Sequence, residues 1–298
     1  MSPAPPASDT PFRTVFSDPR YVRAMCKVGS LQVYEHEEVG TLAWRKRGPV
    51  REVVLPPFTP FSGLTIPALA ETDVHGSRDP LNRVARHLDQ EFDRVRLHLP
   101  PEATDARALQ WAGWQVSPLY TYLISVAAGQ AAWSSGSRRA VRKEASTFQV
   151  VEDAGRAQEV VRLVLDGYER NGRALAFSSH SVTEAASGLL EAGLGRCLVA
   201  LRDGQAEAGV VFLVDGPRAW YWLAGSKPGP AMTVLMASAL EKLGALGVTD
   251  IDMVGANTAT IAEFKRRLGG RLVPYWAATR STGLVARGVA ALAALRGR

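Results

Sequence analysis

The feature that most constrains the fold is a run of three apolar segments joined by two short turns in the second half of the chain. Asp203-Gly204 and Asp215-Gly216-Pro217 separate the segments 197–202, 208–214 and 219–223. Asp-Gly between two apolar runs is a strong hairpin signal, because both residues tolerate the left-handed backbone of a tight turn. These segments are therefore predicted to form three consecutive antiparallel strands.

The rest of this half alternates between helical and extended patterns. A Gly/Pro-rich loop is followed by a helix with an apolar stripe, and then by a strand, a helix and a strand. The predicted ranges are 225–230 for the loop, 231–246 and 258–268 for the helices, and 250–254 and 272–279 for the strands. Two further helices, over 157–171 and 181–192, precede the three strands. The order predicts an α/β (α+β) domain in which helices flank a mixed, mostly antiparallel sheet.

The first half shows a similar but looser pattern. A chain of 298 residues is long for one core, so two domains are expected. A hairpin is predicted over 31–44, strands over 51–55 and 94–99, helices over 80–91 and 105–112, and extended segments over 114–125. The predicted division is a disordered leader over 1–10, domains over 11–135 and 136–280, and a final helix over 281–298.

Composition limits the classes of partner. The net charge is +6 and the isoelectric point about 9.5, which favours anionic partners. The five histidines and two cysteines show no metal-ligand spacing, and no apolar run reaches the roughly 18 residues of a membrane helix. We therefore expect a cytoplasmic protein without a bound metal or membrane insertion, and the sequence leaves its oligomeric state open.

The loop between a strand and the following helix is the predicted site for an anionic donor. The N-terminus of such a helix presents unpaired N–H groups and the positive end of its dipole. The candidate donor-binding residues are Gly225, Ser226, Lys227, Gly229 and Ala231. Pro228 and Pro230 remove two backbone donors from the loop, and an ordinary connecting turn is the alternative interpretation.

Three segments of the second half resemble a known family. They are the basic segment 137–144, the segment 168–173, and the stretch from Gly209 through 221–226 and 252–257 to 264–269. Their order is similar to that in Fem-type aminoacyltransferases and the related "acetyltransferase 6" domains, which consist of two GNAT folds in tandem. The most specific element is the Phe-Lys pair shortly before a glycine and the last strand.

The resemblance implies an N-acyltransferase that moves an acyl group from acyl-CoA, or an aminoacyl group from aminoacyl-tRNA, to a primary amine, with no tightly bound cofactor. It implies that Phe264 and Lys265 contact the donor or the intermediate, that Asn257 belongs to the donor site, and that the last helix packs on the first domain. Two alternatives remain: a Fem-type transferase acting on a peptidoglycan precursor, and a non-catalytic protein that binds a ligand or RNA.

The reaction also requires a neutral amine and a place for the acceptor. Asp252, Glu263 and Tyr275 are candidate bases by position, beside Lys265 as a group that stabilises the oxyanion. A cleft between the two halves is the predicted acceptor site. Its candidate residues are Phe58, Phe61, Tyr120, Tyr168, Arg173, Tyr221 and Trp222. Core packing is the alternative role for the aromatic residues among them.

Overall fold

The computed structural model describes residues 14–65, 80–172 and 177–283, together with Gly288. The chain divides into two compact units: residues 1–26, 30–119 and 274–298 form the first, and residues 27–29 and 120–273 the second. This division falls between Leu119 and Tyr120, and the domain bounds predicted from composition stay a prediction. The predicted leader and most of the predicted final helix lie outside the described residues.

The described residues contain the predicted strands and helices in the predicted order, together with elements that were not predicted, among them the strand over Gln149–Glu152. The strands are β1 (Gln32–His36), β2 (Gly40–Arg47), β3 (Val50–Val54), β4 (Arg94–Leu99), β5 (Gln115–Ser125), β6 (Gln149–Glu152), β7 (Gly195–Arg202), β8 (Gln205–Asp215), β9 (Arg218–Ser226), β10 (Asp250–Asp252) and β11 (Arg271–Ser281). The α-helices are α1 (Pro19–Gly29), α2 (Pro80–Glu91), α3 (Arg107–Trp111), α4 (Ser135–Glu144), α5 (Ala157–Arg170), α6 (Ser179–Glu191), α7 (Ala231–Ala245) and α8 (Ala259–Arg267). Short 3-10 helices cover Val15–Ser17, Gly129–Ala132, Ala145–Thr147 and Ala154–Arg156.

The first unit is built on a mixed sheet. β1, β2 and β3 pair antiparallel in sequence, β3 and β4 pair parallel, and the last six residues of β11 pair antiparallel with β4. α2 buries the apolar stripe that its sequence predicts, Leu81, Val84, Ala85 and Leu88. These side chains share a core with Val95 and other inward residues of the strands.

The second unit repeats this kind of arrangement. β6, β7, β8 and β9 pair antiparallel in sequence, β9 pairs parallel with β10, and β10 pairs antiparallel with the end of β5. The two predicted turns are confirmed: Asp203, Gly204 and Gly216 all have positive φ angles. The predicted α/β class with mixed, mostly antiparallel sheets is confirmed.

One element differs from its prediction in a way that concerns the site. β9 continues to Ser226, so Gly225 and Ser226 belong to a strand and not to the loop predicted over 225–230. Gly209 and Gly225 are register partners on β8 and β9. A Cβ atom on Gly225 would lie 2.3 Å from backbone atoms of Leu163 and Val164 in α5. The glycine therefore allows α5 to approach the sheet closely.

Candidate active site

Two parallel strands of the second unit separate at the predicted site. β10 pairs with β9 only over Asp250–Asp252, opposite residues 218–220, and β9 then runs on to Ser226. The chain leaves β10 through a turn and enters α8, while β9 leads into α7. The carboxyl ends of neighbouring parallel strands are where open α/β sheets place their ligands. The turn after β10 carries the polar groups described next.

The turn after β10 has an unusual backbone that Asp252 supports. Val254 has a φ of 54° and Gly255 a φ of 76°. A left-handed conformation is costly for a β-branched residue such as valine, by about 1–3 kcal/mol. Asp252 is fully buried, and its Oδ1 accepts hydrogen bonds from the Val254 N–H at 2.8 Å and from the Thr121 hydroxyl at 2.5 Å.

Lys265 on α8 contacts the carbonyl groups of the same turn. Its side chain is 4% exposed, and it is the buried residue of α8. Nζ donates hydrogen bonds to the carbonyl oxygens of Val254 at 2.7 Å and Gly255 at 2.5 Å. It also lies 5.9 Å from the centroid of the Tyr221 ring on β9. A lysine ammonium has three N–H donors, so two are used by the turn and one remains for another partner.

Burial disfavours the charged forms of Lys265 and Asp252, the two ionisable groups of the turn. Burial lowers the pKa of Lys265 to about 8, and the charge of Asp252 opposes this effect. Burial raises the pKa of Asp252, while its hydrogen bonds and the charges of Arg218 and Lys265 oppose the rise. Asp252 Oδ2 is buried and has no hydrogen-bond partner within the described part of the chain. The pKa of the Tyr221 hydroxyl is raised by its burial.

The predicted donor segment has a different charge arrangement from the one its sequence indicates. Lys227 Nζ lies 2.8 Å from Glu207 Oε1, so a neighbouring carboxylate offsets its charge. Arg170, at the end of α5, donates a hydrogen bond from Nη2 to the Ser226 carbonyl at 2.7 Å. Gly229 has a φ of 135°, and α7 begins at Ala231 directly after Pro230. An arginine that was not among the predicted site residues therefore reaches this segment.

The other predicted residues of the second unit are divided between the site and the core. Asn257 Oδ1 accepts a hydrogen bond from the Tyr120 N–H at 3.0 Å, which brings a predicted donor residue and a predicted acceptor residue together. Trp222 is buried on β9, and Tyr168 is partly buried on α5. Phe264 packs partly against the core beside Lys265. Glu263 is a surface residue that pairs with Arg266 and Arg267, and Arg173 lies outside the described residues.

Three predicted residues belong to the first unit. Tyr275 is buried, with its ring edge-on to Phe61 at 5.1 Å between centroids. Phe58 has a φ of 53°, and its carbonyl accepts a hydrogen bond from the Tyr21 hydroxyl at 3.2 Å. The predicted acceptor cleft between the two halves stays a prediction.

Thr121 and Val254 are site residues that the sequence did not reveal. Thr121 lies among apolar residues of β5, and only its proximity to Asp252 gives its hydroxyl a role. Arg170 is part of the segment 168–173 that carries the family resemblance, which is a signal that could have placed it at the site.

A family model matches part of the second half of the chain. Residues 132–266 match the family model described as an acetyltransferase (GNAT) domain. This segment contains Asp252, Lys265 and the whole predicted donor segment. The match confirms the resemblance and supports the N-acyltransferase kind. No curated protein matches the sequence.

Solved structures share the fold at low sequence identity. The crystal structure of FemX is similar with a TM-score of 0.63 and 10% identity, over 87% of this chain and 90% of that one. The structure of L-PGS from Bacillus licheniformis is similar with a TM-score of 0.59 and 10% identity, over 95% of this chain and 98% of that one. At these identities the likeness concerns the fold alone.

The described residues contain no group of three or more His, Cys, Asp or Glu side chains that could hold a metal ion. Within the same residues, no helix has the length and apolar character needed to cross a membrane.

Proposed function

We propose that this protein transfers an acyl group from an activated donor to a primary amine, and that Lys265 is a catalytic residue of the reaction. The observation that supports this proposal most strongly is the arrangement of Lys265 Nζ. Two of its donors are held by the carbonyls of Val254 and Gly255, at the point where β9 and β10 separate. A buried lysine with one remaining donor fits a site where negative charge develops.

The proposed reaction joins the amine nitrogen of the acceptor to the acyl carbon of the donor. A tetrahedral intermediate forms, the bond from the acyl carbon to the leaving sulfur or oxygen breaks, and the leaving atom takes up the proton that the amine nitrogen loses. The remaining N–H of Lys265 donates to the oxyanion of that intermediate. With its pKa lowered to about 8, Lys265 is still mostly charged at pH 7, so its N–H groups are available as hydrogen-bond donors to the oxyanion.

The donor is proposed to be an acyl-CoA or an aminoacyl-tRNA. Both carry phosphates next to an activated acyl group, and the basic protein suits either one. Arg170 and the first N–H groups of α7 are the proposed phosphate contacts, because Lys227 is paired and the prolines of the loop have no N–H. The Fem-type resemblance favours aminoacyl-tRNA, and with it a peptidoglycan precursor as acceptor. The family's "acetyltransferase" description favours acyl-CoA. The cytoplasm is the proposed compartment.

A paired binding and turnover screen tests this proposal. Thermal unfolding is measured with acetyl-CoA, free CoA and lysyl-tRNA, because a ligand at 100 times its Kd stabilises the folded state by about 2.7 kcal/mol. Turnover is then measured as amine-dependent thiol release from acetyl-CoA, or as label transfer from lysyl-tRNA, with free lysine and a lysine-containing peptide as acceptors. Each binding measurement is repeated at several salt concentrations.

The proposal expects stabilisation by one donor and acyl transfer from it. Binding of lysyl-tRNA that weakens steeply with salt selects the aminoacyl reaction, because binding to RNA phosphates releases counterions. Stabilisation by acetyl-CoA and thiol release select the acyl-CoA reaction. Binding of a donor without transfer to either amine supports the alternative of a non-catalytic binding protein and contradicts the proposal.

A further inference from the structure

The turn that holds Lys265 is fixed to one short segment of β5. The Met253 N–H donates to the Tyr122 carbonyl at 2.8 Å, and the Ala256 N–H donates to the Tyr120 carbonyl at 2.7 Å. Between these two backbone contacts, Thr121 donates its hydroxyl to Asp252 Oδ1 at 2.5 Å. The two ends of the turn are therefore held by the backbone, and its interior is held by side chains.

The conformation of the turn depends on Val254, which lies between the two backbone contacts. The backbone contacts fix Met253 and Ala256, but they do not force Val254 into the left-handed region that its side chain disfavours. Asp252 Oδ1 accepts the Val254 N–H at 2.8 Å, and that hydrogen bond compensates the unfavourable φ. In this conformation the carbonyls of both Val254 and Gly255 reach Lys265 Nζ.

We propose that Asp252, held by Thr121, is a positioning residue for Lys265: it fixes the left-handed turn at Val254, whose two carbonyls orient the lysine Nζ. Asp252 positions Lys265 through the turn, because its carboxyl accepts from the Val254 N–H while Lys265 donates to the carbonyls of Val254 and Gly255; its charge acts separately on the pKa of Lys265. Its importance for catalysis rests on the proposed function, whereas its effect on Lys265 is measurable in the protein without any substrate.

Two substitutions of Asp252 separate its geometric effect from its charge. Asp252→Asn keeps an oxygen that accepts from Val254 and Thr121 but removes the negative charge. Because the charge of Asp252 raises the pKa of Lys265, the asparagine variant lowers that pKa further. Asp252→Ala removes the same charge and also the acceptor, so the turn relaxes and Lys265 gains solvent, which raises its pKa. Because both variants lack the charge, the pKa of Lys265 is expected to be higher in Asp252→Ala than in Asp252→Asn.

The measurement follows the side-chain ¹³Cε and ¹⁵Nζ resonances of Lys265 with pH by NMR, with Lys265→Arg to assign them. The titratable groups beside Lys265 are Asp252 on β10 and Tyr221 on β9, and the charge of Arg218 on β9 acts on Asp252. Hydrogen exchange of the Val254 amide is recorded on the same samples. Asp252→Ala is expected to accelerate this exchange at least tenfold, whereas Asp252→Asn changes it by less than about threefold, since a retained hydrogen bond keeps the amide protected.

Thr121 provides a second test that does not depend on the alanine variant folding. Thr121→Val removes the hydroxyl at nearly constant volume, and Thr121→Ser retains it. Valine is expected to accelerate Val254 amide exchange severalfold, and serine to restore the wild-type rate. Unchanged exchange in Thr121→Val, or a Lys265 pKa that is no higher in Asp252→Ala than in Asp252→Asn, would overturn the proposal.

A turnover assay distinguishes this proposal from the proposed function. Asp252→Ala is expected to reduce kcat at least tenfold with little change in the KM of the donor, because Lys265 loses its orientation while the donor segment is intact. If Lys265→Met retains full activity, the proposed catalytic function fails. If Lys265 is essential but Asp252→Ala has wild-type kcat, the positioning role fails and the proposed function stands.

Discussion

Replacing Gly225 by alanine tests how α5 is seated on the sheet of the second unit. The new Cβ would lie 2.3 Å from the Leu163 carbonyl carbon and 2.3 Å from the Val164 nitrogen. Non-bonded carbon atoms prefer separations of about 3.5–4.0 Å, so the contact is too short by roughly 1.2 Å. Backbone atoms of a helix cannot rotate away as a side chain can. The helix or the strand must therefore move.

The expected loss of stability is at the upper end of the range for overpacked cores. Such substitutions cost about 1–3 kcal/mol, and because both partners here are backbone we expect Gly225→Ala to cost about 3 kcal/mol or more. Gly209→Ala should cost less, because its Cβ meets the Cγ2 methyl of Val160 at 2.7 Å. Gly188→Ala is the matched control. It is exposed in α6 with no atom within 4 Å of a Cβ, so alanine should stabilise by about 0.5–1 kcal/mol.

Urea unfolding followed by circular dichroism gives the free energies, and hydrogen exchange of peptides from β9 locates the change in the second unit. A Gly225→Ala variant within about 0.5 kcal/mol of wild type would refute the packing argument. That result would favour the role predicted from the sequence, in which Gly225 allows the donor to approach the backbone.

Two further predictions concern the charges of the site. Lys265 is charged up to about pH 10.5 in the unfolded state but only up to about pH 8 in the folded state. Between these values the unfolded state binds more protons, so the contribution of Lys265 to the free energy of unfolding rises with pH. In urea unfolding, the stability of Lys265→Met relative to wild type should therefore fall between pH 7 and pH 10, and a pH-independent difference contradicts the burial argument. Arg170→Met should weaken binding of the active donor about fivefold at low salt. Lys227→Met should change this binding less than about twofold, because Glu207 already offsets the charge of Lys227. Equal effects of the two substitutions in a binding titration would contradict the assignment of Arg170 as the phosphate contact.

The fold was predictable from the sequence because its signals are local. The Asp-Gly turn at Asp203 and the stripe of α2 depend on residues close in the chain, and both appear where they were predicted. The end of β9 was misplaced because Gly225 has the composition of a loop. Its place in a strand depends on α5, which packs against it from a distant part of the chain.

The sequence predicts Phe264 and Lys265 as site residues, and their role stays a prediction. The sequence pattern does not give the burial of their neighbours on α8. In the structure Ile261 is 46% exposed, and Lys265 is the buried side chain. A buried lysine is tolerated there because its Nζ donates hydrogen bonds to two carbonyls of a left-handed turn. No local sequence pattern predicts that Val254 adopts this left-handed conformation.

The most direct test of the account is the turnover of Lys265→Met beside Lys143→Met. Lys143 is a lysine on α4 with a side chain that is 78% exposed, so its substitution controls for the loss of one positive charge. With the donor identified by the screen, we predict that Lys265→Met lowers kcat by roughly 10²–10³, as for the loss of one oxyanion donor, with donor affinity nearly unchanged. Lys143→Met should keep wild-type turnover. Wild-type turnover in a folded Lys265→Met protein would contradict the assignment of the active site to this lysine.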